Sequence, residues 1–139
     1  MNPLESLGAY EHFIYSLQDS YSEILRSSLV VIRRGPLAAH LIGEIEFSNE
    51  VKLVIDEQLL FLDAPGEIQH YGYEVWRGTE KLYWYDSQPH PNNPLLASTH
   101  PHHKHVPPDI KHNRIPAPGL SFKRPNIPFL ISEIENTLM

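Results

Sequence analysis

Ten of the thirteen prolines in this chain fall between Pro89 and Pro128. Proline fixes φ and supplies no backbone N–H, so long helices and central strands are not expected in that stretch. Regular structure is expected in the residues before it and in the last dozen after it. The chain has 139 residues, which suits a single domain with one modest core. Among its apolar residues, seven Tyr, five Phe and two Trp supply bulk.

Residues 4–26 repeat apolar groups at Leu7, Tyr10, Phe13/Ile14, Leu17, Tyr21 and Ile24/Leu25, steps of three and four that mark one face of an amphipathic helix. Asn2 or Ser6 can cap its start. Its end falls at Ser27-Ser28 or, earlier, near Asp19-Ser20, which would hand the following residues to a strand. From residue 28 the period changes. Leu29-Val30-Val31-Ile32 is short and β-branched. Leu41, Gly43, Ile45 and Phe47 then alternate with His40, Ile42, Glu44 and Glu46. Val51, Leu53 and Ile55 follow the turn Ser48-Asn49-Glu50, and Tyr71, Tyr73 and Val75 follow Asp63-Ala64-Pro65-Gly66. Arg77-Gly78-Thr79-Glu80 closes a hairpin into Leu82-Tyr83-Trp84-Tyr85. The expected architecture is α+β: a helix over 1–27 packed on one face of an antiparallel β-meander over 28–86. An ordered, proline-stiffened arm follows over 87–125, and a C-terminal helix over 126–139, with Asn126 as a cap and Pro128 in the first turn.

What the chain lacks narrows its function. No run of about 18 apolar residues spans a membrane, and the start Met1-Asn2-Pro3-Leu4-Glu5 lacks the features of a signal peptide. No cysteine is present, which removes disulfides, thiolate metal sites and a cysteine nucleophile and fits a cytoplasmic protein. Phosphate-cradling glycine loops and a serine nucleophile elbow are absent. The net charge of −6 is unevenly spread. Residues 1–99 hold 6 Lys/Arg against 14 Asp/Glu, whereas Lys104, Lys111, Arg114, Lys123 and Arg124 face only Asp109 over residues 100–125. That basic segment either forms an anion-binding surface or packs against the acidic sheet of its own chain.

Four of the nine histidines lie in His100-Pro101-His102-His103-Lys104-His105. A histidine near neutral pH both accepts and donates protons. Paired histidines beside a cation can cleave RNA without metal: one takes the 2′-OH proton, the other protonates the leaving 5′-oxygen, and Lys or Arg stabilises the phosphate charge. In an extended segment residues two apart share a face. His103 and His105 then point together as the acid–base pair, with Lys104 opposite and His100 and His102 as a second set. Strict extension makes Arg114 a better phosphate ligand than Lys104. Asp86 is the expected orienter of a histidine. Tyr83, Trp84 and Tyr85 are candidates for base stacking. His100, His102, Lys111, Lys123 and Arg124 are candidates for substrate contact. This chemistry calls for no cofactor. The same residues leave other readings open: a His-x-His metal site completed by Asp86 or Asp109, as in a metal-dependent phosphodiesterase, a basic arm that binds nucleic acid or protein without catalysis, or histidines serving only structure. Glu44, Glu46 and Asp56 can hold a divalent ion but are equally a solvated strand face.

The string Tyr85-Asp86-Ser87-Gln88-Pro89-His90-Pro91, followed by His100-Pro101-His102-His103-Lys104-His105-Val106, resembles the TumE-like family of toxins from bacterial toxin–antitoxin modules. In that family a strand ends in an aromatic-Asp-Asn step, and a His block precedes a C-terminal helix. Ser87 stands here where the family usually has Asn, His90-Pro91 replaces a His-His pair, and residues 107–125 look like an insertion. The likeness extends in layout over about residues 38–136, with specific identity in 83–106. It implies a cytoplasmic toxin acting on RNA and neutralised by a nucleotidyltransferase-like or other small antitoxin. A strand edge beside many aromatics is compatible with a homodimer.

Overall fold

The structure is a computed structural model that describes residues 2–87, 102–111 and 113–139. A 3-10 turn at Pro3–Glu5 leads into α1 (Leu7–Tyr15) and the single turn α2 (Leu17–Ser20). Asn2 Oδ1 accepts from Leu4 N at 2.9 Å and Ser6 Oγ from Ala9 N at 3.0 Å, so both expected caps are used, one for each turn type. The helical stretch ends at Ser20, the earlier of the two breaks offered by the sequence. Residues 24–27, within the expected helix, form a strand because Ile24 finds a ladder partner in Phe47.

The strands are β1 (Ile24–Ser27), β2 (Val30–Arg33), β3 (Ala38–Phe47), β4 (Val51–Leu60), β5 (Glu67–Arg77), β6 (Glu80–Asp86), β7 (His103–His105) and β8 (Arg114–Pro116), followed by α3 (Ile127–Leu138). All eight form one antiparallel sheet in the order β1-β3-β4-β5-β6-β7-β8, with β2 also on β3. β1 and β2 share one edge of β3, and the chain passes between them at Ser28-Leu29. Gly43 faces this crossing with φ +137°, and a Cβ there would sit 2.6 Å from the Ser28 carbonyl oxygen. The expected α+β class holds, with an antiparallel sheet, an N-terminal helix and a C-terminal helix. The arm contributes two three-residue strands, too short to announce themselves by periodicity.

One face of the sheet is the core face. Leu41, Ile45, Leu53, Ile55, Tyr73 and Val75 on that face are fully buried, as are Tyr10 of α1 and Ile127, Leu130, Ile131 and Ile134 of α3. Within this apolar layer lies one charged residue, Glu57, in phase with Leu53 and Ile55. It receives the Tyr10 hydroxyl and, at 2.5 Å, the Tyr73 hydroxyl. Asn126, expected to cap α3, makes no side-chain cap; its Nδ2 donates to Tyr73 Oη at 3.0 Å and to the Ser121 carbonyl at 2.9 Å. Glu57 therefore links α1, β4, β5 and the residue that opens α3. The opposite, outer face carries Ile42, Glu44, Asp56, Glu74, Trp76 and Trp84, all at least partly exposed.

Candidate functional site

Three short strands build the site at the end of the sheet. In β6 the alternation sends Tyr83 and Tyr85 to the core face and Trp84 and Asp86 to the outer face. The arm then pairs back antiparallel, with Trp84 opposite His105, Tyr85 opposite Lys104 and Asp86 opposite His103. Directly opposed residues share a face. His103 and His105 thus stand beside Asp86 and Trp84, and Lys104 stands on the core face. β8 adds Arg114 opposite His105 and Ile115 opposite Lys104.

The Asp86 carboxylate lies between the two imidazoles. Oδ1 is 3.7 Å from His103 Nδ1, and Oδ2 is 3.3 Å from His105 Nε2. His105 Nδ1 lies 3.0 Å from the Ile110 carbonyl oxygen, which can only accept, so Nδ1 carries a proton and Nε2 is the nitrogen turned to Asp86. Trp84 stacks on the His105 ring with centroids 3.6 Å apart and planes within 10°. Its indole N–H donates to the same Ile110 oxygen at 3.1 Å. Both imidazoles are buried, at 0% and 1% exposure, and Asp86 retains 8%. Asp86 Oδ1, His105 Nε2 and Arg114 Nε are buried without a well-formed hydrogen bond among the described residues. A purely structural polar cluster normally spends such capacity.

The core side of the same strands is a clamp onto α3. Glu133 accepts from Tyr85 Oη at 2.9 and 2.8 Å and from Lys104 Nζ at 3.2 Å. Lys104 also sits 4.4 Å above the Tyr83 ring. Burial, followed by the nearby Glu133 charge, pushes both the Tyr83 and Tyr85 hydroxyls well above the usual tyrosine range. Tyr71 is raised too, first by burial and then by Asp86. These phenols are neutral donors rather than bases. Tyr71 Oη lies 2.6 Å from His102 Nδ1, with the rings parallel to within 1°. Ser87 fastens the end of β6 to β5: its Oγ accepts from Tyr71 N at 3.0 Å, and its N–H donates to the Tyr71 carbonyl at 3.3 Å.

The structure therefore brings together Asp86, His103, His105 and Arg114 on one face. Lys104, Tyr83 and Tyr85 lie behind them on the other. Lys111 and Arg124 are exposed, and Lys123 pairs with Glu67 at 2.8 Å, at the start of β5. His90, His100 and His112 lie outside the described residues. Among the described residues no group of three or more His, Asp or Glu is set to hold a metal ion. Glu133, the Ile110 carbonyl and Glu57 were not foreseen. The first two act across long or irregular separations that leave no pattern in a sequence. Glu57 had a signal, a charge in phase with Val51, Leu53 and Ile55. Burial drives its carboxyl up to about 7, although the Tyr10 and Tyr73 hydrogen bonds work in the opposite direction.

No helix among the described residues is long and apolar enough to cross a membrane. A family model described as Toxin TumE matches residues 13–138, nearly the whole chain. Searches of curated proteins and of solved structures give no match.

Proposed function

Because the chain belongs to the TumE toxin family, whose members imply a cognate antitoxin, we propose that it acts in the cytoplasm as a metal-independent endoribonuclease centred on Asp86, His103, His105 and Arg114. The observation that carries this reading is the Asp86 carboxylate set between two imidazoles, at 3.7 and 3.3 Å, with Arg114 in register beside them. One imidazole removes the ribose 2′-OH proton, and the 2′-oxygen attacks phosphorus. The P–O5′ bond breaks as the other imidazole delivers a proton to the leaving oxygen, which yields a 2′,3′-cyclic phosphate and a free 5′-OH. His105 turns Nε2 toward Asp86, its Nδ1 being held by the Ile110 carbonyl. Asp86 orients both rings and balances the imidazolium as it forms. Arg114, half-buried at the sheet edge, meets the phosphate and marks the side from which RNA enters. Lys104 and Tyr85 act behind them by fixing β7 to α3.

The test is cleavage of total RNA by purified protein with chelator present throughout. The parent should cleave, and His103→Ala and His105→Ala should each lose at least about a hundredfold, the usual scale for a general acid or base. Equal rates in parent and variants would end the mechanism. The burial of both imidazoles favours a second reading, in which the toxin binds nucleic acid or a protein through its basic arm without cleaving it.

A further inference from the structure

The outer face of the sheet carries a groove of about 390 Å³ whose lining includes Val54, Asp56, His70, Gly72, Glu74 and Trp84. It borders the site just described through Trp84, which lines the groove and stacks on His105. Gly72 pairs with Asp56 on β4 and with Asp86 on β6, and Asp86 pairs with His103 on β7. Asp56, Gly72, Asp86 and His103 thus form one cross-strand row. Strands lie about 4.8 Å apart, which places the Asp56 and Asp86 backbones about 10 Å from each other with Gly72 between them. A Cβ at Gly72 would meet nothing within 4 Å, so the floor of the groove is open there. One wall is Trp84, held in place by its stack on His105.

The polar equipment of the groove selects among ligands. Glu74 is already engaged, accepting from Trp76 Nε1 at 3.0 Å and from Lys81 Nζ at 3.3 Å. Asp56 meets His40 at 2.9 Å through Oδ1, yet its side chain remains 60% exposed. His70 is exposed. A slot whose free charge is a carboxylate repels phosphate and rewards a hydrogen-bond donor on a flat, uncharged group. Exocyclic amino groups of nucleobases are such donors, and aspartate accepts from them.

We propose that the groove over Gly72 is a nucleobase subsite that takes a base bearing an exocyclic amino group, read by Asp56 and His70, next to the phosphate at Asp86–His103–His105. The inference rests on the ribonuclease reading and adds to it a base preference beside the scissile bond.

Short deoxy homopolymers, which lack the 2′-OH and cannot be cleaved by this chemistry, test binding separately from catalysis. Fluorescence anisotropy should show the parent binding deoxyadenosine and deoxycytidine homopolymers about fivefold or more tighter than thymidine, which lacks the amine. Gly72→Phe fills the slot and should erase the preference, with folding checked by circular dichroism. Asp56→Asn, which keeps the slot open, should shift the preference toward thymidine. His103→Ala, which leaves the Trp84–His105 stack in place, should abolish RNA cleavage and keep the preference. Equal binding of all three homopolymers by the parent, or no binding, overturns the subsite even if RNA is cleaved. A preference that survives in both Gly72→Phe and Asp56→Asn overturns it as well. Base preference in a parent that cleaves no RNA would retain the groove and sink the ribonuclease reading.

Discussion

At His105 contacts from two segments converge: the indole of Trp84 over one face of the ring, the Ile110 carbonyl on Nδ1, and the Asp86 carboxylate 3.3 Å from Nε2. Together they fix tautomer and orientation, which is the work of residues that support a catalytic base. Trp84→Phe keeps a stacking ring and loses only the indole N–H, so cleavage should fall less than about tenfold. Trp84→Ala frees the ring, and cleavage should fall about ten- to a hundredfold, with a shifted acid limb of the pH–rate profile. An unchanged profile in Trp84→Ala would remove Trp84 from the mechanism. Glu57 bears on stability instead. Its carboxyl titrates near 7 in the folded chain against an ordinary 4.5, so the folded state keeps its proton longer than the unfolded state. The contribution of this group to stability is then greatest below about 4.5 and falls as pH rises toward 7, by roughly 3 kcal/mol, levelling off above. Glu57→Gln should flatten that fall. Urea unfolding at pH 5 and pH 8 checks it, and parallel pH dependence in parent and variant would contradict it.

Among elements, the β3–β4 hairpin carries an identifiable strain. Its turn holds Asn49 at φ +59° and Glu50 at φ +61°. Both carry a Cβ that crowds the backbone carbonyl there; the short Asn amide offsets that cost by hydrogen-bonding locally, and the longer Glu side chain does not. Two-residue turns of this hand favour Asn-Gly. Glu50→Gly should therefore raise stability by up to about 1 kcal/mol, read as a higher urea midpoint with unchanged slope; a lower midpoint would place the cost elsewhere. The edges of the sheet are guarded. At one, Tyr15 Oη accepts from Val31 N at 2.8 Å and Arg33 pairs with Glu11 at 2.6 Å. At the other, β8 ends in Pro116. The long strands were legible because their alternation runs over seven to eleven residues. β7 and β8, three residues each, were not, since neither is long enough to show a period.

Across the whole molecule, both helices cover the core face and the chemistry sits on the outer face, joined through strands that carry Tyr85 and Lys104 backward and Asp86 and the imidazoles forward. Of the arm's basic residues, Arg114 stands opposite His105 at that chemistry. Lys123 is tied to Glu67, while Lys111 and Arg124 are exposed. In the binding-only reading, replacing all three by Gln should weaken nucleic-acid binding and lower its salt slope by up to about 0.9 for each phosphate no longer neutralised, while His105→Ala leaves binding intact. An unchanged salt slope would exclude the arm as the binding surface. Local sequence was enough to set the faces of the long strands and the caps at Asn2 and Ser6, because each follows from periodicity or chemistry within a few residues. Tertiary packing alone settled that Lys104 turns to Glu133, that Ile110 sets the His105 tautomer, and that Glu57 is enclosed by two tyrosines. Each of these depends on the register between segments, and separate segments carry no record of their register in local sequence.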